Sequence, residues 1–140
     1  MNEPIIVVDG DKRSCRDMCN LLEVHQYCGI RCHALANIQG LIEQNSCRAL
    51  ILDLDTVPVD NRRVRNLKKA NPGLCVLAVS GRIFHPELKE AIASYIYACL
   101  CKPVDPDELI YLVKSIFCNA TNSEENPVEK GTEDFSFTAQ

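Results

Sequence analysis

No stretch of this sequence reaches the ~18 apolar residues that a membrane span needs, so no transmembrane helix is predicted. A basic leader segment is missing as well. Met1-Asn2-Glu3-Pro4 runs straight into a strand-like stretch, so a secretory signal is not expected and the chain is assigned to the cytoplasm. The folded part has no excess of positive charge, no helix-turn-helix pattern and no set of stacking aromatics, which argues against direct nucleic-acid binding. Internal repeats are absent. Cysteine is plentiful, with nine in the chain, but metal-ligand spacing is not. Cys99 and Cys101 stand two apart on a strand and face opposite ways, while Cys15 and Cys19 share a helix face that must pack on the sheet. A structural zinc needs four convergent ligands, which these do not supply. The cysteines are therefore read as reduced thiols, most of them in or near the core. His25, His33 and His85 show no catalytic or ligand spacing and are expected at the surface or an interface.

What is present suits one globular domain. The chain has 140 residues, 46% of them hydrophobic and 24% charged, enough for a single sizeable core. The net charge of −4 belongs to residues 119–140, where five acids stand against Lys130 and no apolar face repeats. Such a segment cannot offset its ordering entropy. A folded domain over 1–118 and a disordered acidic tail over 119–140 are expected, with Phe135 and Phe137 the tail's only apolar pair. Arg62, Arg63, Arg65, Lys68 and Lys69 form one basic run, read first as a solvated helix face and second as a docking patch for an acidic partner.

Strand-like and helix-like segments alternate. Residues 4–9 (PIIVVD), 48–53 (RALILD) and 74–80 (LCVLAVS) are apolar, β-branched-rich runs of the kind buried on both faces. Residues 29–34 read as a more polar edge strand and 97–101 as the last strand. Helices are predicted over 12–27, capped by Asp11, over 36–45, 60–70 and 86–96, and over 105–117. Five strands alternating with five helices predict an α/β/α sandwich around a parallel sheet. Ligands of such sheets bind beyond the carboxyl ends of the strands.

Those ends carry Asp9, Asp53, Ser80 and Lys102, each closing an apolar run on the same edge of the sheet. The set is chemically coherent. Clustered carboxylates suit a hard divalent ion such as Mg²⁺, and a carboxylate beside such an ion can take up phosphate as a nucleophile. A lysine and a hydroxyl can hold the phosphoryl oxygens.

The runs Ile5-Ile6-Val7-Val8-Asp9, Leu50-Ile51-Leu52-Asp53, Val79-Ser80-Gly81 and Lys102-Pro103 resemble, in order and in spacing, those of bacterial response-regulator receiver domains. The resemblance spans roughly residues 4–118. It implies a flavodoxin-like fold with a five-stranded parallel sheet. It also implies Mg²⁺-dependent transfer of phosphate from a histidine kinase, or a phosphotransfer protein, to Asp53. Asp9 would help hold the metal, Ser80 would be the switch hydroxyl and Lys102 the phosphate-contacting cation. The implied role is two-component signalling through protein contacts rather than enzymatic turnover, with a downstream protein target and a second copy of the chain as candidate partners.

Three positions depart from that pattern. Gly10 stands where a second acid usually follows the first strand, which weakens the metal site unless Asp11 or Asp55 supplies a carboxylate. On this reading Gly10→Asp should tighten Mg²⁺. Pro58 lies five residues after Asp53 rather than four, which lengthens the loop and leaves Asp55 less well placed by the sheet. Cys99 replaces an aromatic residue, and Tyr97 is the candidate substitute. A phosphate-independent receiver acting as an interaction module is therefore the competing reading. A more remote one is a haloacid-dehalogenase-like phosphatase, which the run Asp53-Leu54-Asp55-Thr56 resembles, with Asp55 as acid/base.

Overall fold

The computed structural model describes residues 2–122, with side chains as far as Cys118. Five strands alternate with five helices: β1 (Glu3–Val8), α1 (Lys12–Val24), β2 (Tyr27–Cys32), α2 (Ile38–Asn45), β3 (Ala49–Asp53), α3 (Asn61–Ala70), β4 (Cys75–Ser80), α4 (Lys89–Ser94), β5 (Ala98–Cys101) and α5 (Pro106–Asn122). All pairings are parallel, in the order β2-β1-β3-β4-β5. The expected α/β/α architecture is what the chain adopts.

Alternation along the strands divides the core into two layers. Ile5, Val7, Ile51, Leu77, Val79 and Leu100 pack with Cys15, Cys19 and Leu22 of α1 and with Leu109, Val113 and Ile116 of α5. Ile6, Val8, Leu50, Leu52 and Val76 pack on the other face with Ile38 and Ile42 of α2. Each of these large side chains contributes about 1.5–3 kcal/mol by leaving water. Contact between α1 and β2 is close enough to require a glycine, since a Cβ at Gly29 would stand 2.8 Å from Cys19 Cβ. Asp11 and Asp60 start α1 and α3 by accepting from the Arg13 and Arg63 amides, which satisfies donors that a helix leaves unpaired.

Several boundaries differ from the sequence reading. The first helix ends at Val24 rather than 27, because the chain turns through Gln26 at φ 70° and then pairs as β2. The second begins at Ile38, after Asn37 takes a left-handed conformation. The single helix expected over 86–96 is a 3₁₀ turn, Pro86–Leu88, followed by the short α4. α5 continues to Asn122, so the expected domain limit at 118 falls inside a helix. The expectation of a disordered tail falls almost wholly outside the described residues.

Thiol placement is also more varied than expected. Cys15, Cys19 and Cys47 are buried, Cys32 and Cys75 are intermediate, and Cys28, Cys99, Cys101 and Cys118 are exposed. All nine are free. Burial pushes the Cys15 and Cys47 thiols up and the Cys19 thiol up to about 12, so these behave as small apolar groups.

Candidate functional site

Strand order reverses between β1 and β3, and the carboxyl ends of these two strands bring Asp9 and Asp53 together. Both are buried, at 5% and 4% exposure, beneath the turn that leaves β3. Ser80, buried at the end of β4, lies across from Cys101, and Lys102 follows directly. The four strand-end residues named from the sequence thus meet at one edge. A cavity of about 330 Å³ lies beside them, lined by Asp9, Asp53 and Lys102 from the sheet edge and by Ser14 and Met18 from α1.

Lys102 is the electrostatic centre. Its ammonium is 2.7 Å from Asp53 Oδ1 and 2.9 Å from Asp55 Oδ2. Partial burial opposes the charge, but the two carboxylates outweigh it and hold the ammonium above the ordinary lysine range. Asp53 Oδ1 is shut off from water and makes no conventional hydrogen bond among the described residues. The neighbouring ammonium offsets its charge.

Asp55 corrects an expectation. It is firmly held rather than loosely placed: Ser80 Oγ donates to its Oδ1 at 3.0 Å, and the Gly81 amide donates to its Oδ2 at 2.8 Å. With Lys102 as the chief cause, and these bonds in support, its carboxyl is held down at about 2. Asp55 is thus an ionised partner of Lys102 at neutral pH.

Thr56 entered the sequence reading only within the run Asp53-Leu54-Asp55-Thr56, with no role of its own. Its Oγ1 accepts from the Gly10 amide at 2.9 Å and lies 2.5 Å from Asp53 Oδ2 and 3.1 Å from Asp9 Oδ1. The single hydroxyl proton serves the shorter contact, to Asp53. The oxygens of Asp9 accept from the Asp11 amide at 2.9 Å and Ser14 Oγ at 2.6 Å. His33 Nδ1 lies 2.9 Å from the Asp9 carbonyl.

These contacts bear on the expected Mg²⁺. The gap between Asp9 and Asp53 is spanned by the Thr56 hydroxyl, Asp55 is turned to Lys102, and no group of three or more acids, histidines or cysteines among the described residues could hold a metal. The candidate substitute Asp11 is an exposed cap, its carboxylate accepting from the Arg13 amide. A hard cation that demands near-octahedral oxygen coordination at ~2.0–2.1 Å does not fit this arrangement.

Two further expectations are corrected. Tyr97 lies just before β5, four residues ahead of Cys101, the register partner of Ser80, and its hydroxyl meets Ser115 of α5 at 2.8 Å. It is thus at the wrong end of the strand to replace an aromatic beside Ser80. His85 is buried rather than exposed. Its Nε2 lies 3.1 Å from the Arg82 carbonyl and its Nδ1 2.8 Å from the Arg82 guanidinium.

The sheet order and the acid, hydroxyl and lysine at its carboxyl edge define a receiver-type α/β domain. Comparison with solved structures agrees: this chain has the fold of response-regulator receiver domains. It is similar to a signal receiver domain of an HD domain-containing protein from Pseudomonas fluorescens, with TM-score 0.77, 17% identity, and 87% of this chain and 99% of that chain covered. A CheY-like receiver domain protein from Methanospirillum hungatei gives TM-score 0.75 and 18% identity over 87% and 99% of the two chains. A two-component response regulator from Clostridium difficile gives 0.74 and 18% over 85% and 98%. No protein-family model and no curated protein matches the sequence.

Proposed function

We propose that this chain is a phosphate-independent receiver module that signals through protein contacts in a conformation maintained by its own side chains. The observation that carries this reading is the Thr56 hydroxyl standing between Asp9 and Asp53. It uses the acceptor carboxylate as a hydrogen-bond partner and closes the space a metal would need. Among the described residues no helix is long and apolar enough to cross a membrane; a cytoplasmic protein partner is part of the proposal.

The test is incubation of the full chain with a small-molecule phosphodonor and saturating Mg²⁺, read by intact mass. No change is expected, whereas a gain of ~80 Da that disappears in Asp53→Asn would establish a covalent acyl phosphate and sink the reading.

A second reading is supported by the Lys102–Asp53 pair and by Ser80 at the end of β4. In it Asp53 accepts phosphate from a histidine kinase or phosphotransfer protein with Mg²⁺, and Thr56 and Asp55 both have to swing away first.

A further inference from the structure

Three donors of different chemistry converge on one carboxylate. The Lys102 ammonium and the Gly81 amide meet Asp55 Oδ2 at 2.9 and 2.8 Å, and Ser80 Oγ meets Oδ1 at 3.0 Å. A cation, a backbone amide and a hydroxyl aimed at one point form an oxyanion cradle, whichever anion fills it. The occupant comes from a turn that starts at Asp53 and is closed by the Val57 amide donating to the Asp53 carbonyl at 3.2 Å. A group tethered so closely competes at a high effective concentration against any free anion.

We propose that Asp55 is the resident anion of this cradle, and that a free tetrahedral oxyanion such as phosphate enters only when Asp55 is removed or displaced. The inference deepens the phosphate-independent reading by naming the group that stands in the anion's place. Its consequence reaches the surface. Ser80 Oγ, besides donating to Asp55, accepts from the Arg82 amide at 2.9 Å. The Arg82 guanidinium in turn meets Glu87 at 2.5 Å and His85 at 2.8 Å. Between them Ile83 and Phe84 stand 91% and 75% exposed. Occupancy of the cradle therefore sets the conformation of the loop that presents these two side chains.

The experiment is a titration of ¹⁵N-labelled full chain with sodium phosphate, in EDTA-containing buffer at constant ionic strength, for wild type, Asp55→Ala and Asp55→Asn. In Asp55→Ala, saturable shifts are expected at Ser80, Gly81 and Arg82, with an affinity at least about tenfold above wild type, and Ser80→Ala in the same background should weaken it. Asp55→Asn removes the charge that holds this side chain against Lys102, so phosphate can displace it, and it serves if the alanine variant does not fold. Equal affinity in wild type, or a folded Asp55 variant whose Gly81 amide does not move, would overturn the proposal. Metal is excluded, so this outcome is separate from the mass measurement: a phosphorylated wild type would end the phosphate-independent reading whatever the titration shows.

Discussion

The backbone of Gly10 meets the side chain of Thr56 directly. The Gly10 amide donates to Thr56 Oγ1 at 2.9 Å, and a Cβ at position 10 would stand 2.9 Å from the Thr56 carbonyl oxygen and 3.2 Å from its Cβ. The missing second acid and the threonine that spans Asp9 and Asp53 are thus two sides of one arrangement. Any side chain at position 10 pushes against the turn that carries Thr56.

Gly10→Asp should therefore not act as a simple addition of a ligand. The clash is with backbone, so the turn over residues 54–57 must shift, at a cost of about 1–3 kcal/mol. Urea denaturation of Gly10→Asp and Gly10→Ala should show both destabilised. Wild-type stability together with tighter Mg²⁺ in Gly10→Asp would show instead that the turn moves freely.

Thr56→Val removes the hydroxyl while keeping the branched shape. Asp53 loses its donor, and a cost of about 1–2 kcal/mol is expected. In this variant a methyl still fills the space between Asp9 and Asp53, whereas Thr56→Ala empties it, so Mg²⁺ should bind more tightly to Thr56→Ala than to wild type, by isothermal titration. Thr56→Ser should restore wild-type behaviour in both measurements. Identical Mg²⁺ affinity in wild type, Thr56→Ala and Thr56→Ser would mean that Thr56 is no obstacle to the ion.

The Asp55 carboxyl has a folded-state value of about 2, below its ordinary 3.8, chiefly because of Lys102. A depressed carboxyl stabilises the fold at pH above its unfolded value, and this contribution is lost as pH falls through the folded one. The window runs from about pH 4 down to about pH 2. Urea midpoints of wild type should fall more steeply across it than those of Asp55→Asn. Parallel curves would show that the Asp55–Lys102 pair adds nothing to stability.

Alkylation should sort the cysteines by position. Cys28, Cys101 and Cys118 are exposed and should be labelled first in the native protein, with Cys99, exposed but with its thiol pushed up by desolvation, following them. Cys15, Cys19 and Cys47 are buried, with thiols pushed up by desolvation, and should react only on unfolding. Peptide mapping after brief iodoacetamide treatment reads the order directly, and early labelling of Cys19 would contradict the packing of α1 on β2.

Asp9, Asp53, Ser80 and Lys102 were legible because each closes an apolar run, and a strand end is a local feature of the chain. Asp11 was legible as a helix cap for the same reason. Its second expected role, as a substitute metal ligand, competes with that cap, because the same carboxylate accepts from the Arg13 amide. Asp55 was read wrongly, and Thr56 without a role of its own. They lie in a turn without periodicity, and their partners lie far off in sequence: Ser80 is 25 residues from Asp55, and Asp9 is 47 from Thr56.

The sequence alone determined the alternation of elements, the parallel sheet and the polar residues at its carboxyl edge, since hydrophobic period and run length act between neighbours along the chain. Only the tertiary structure decided what fills the space between those residues. Parallel pairing of β1 with β3 and β3 with β4 sets the distance from the β3 turn to Gly10, Ser80 and Lys102. At that distance a threonine hydroxyl reaches both buried aspartates and a carboxylate reaches the lysine. Hydrogen bonds and ion pairs of 2.5–3.1 Å depend on the fold's through-space geometry, which no local pattern encodes.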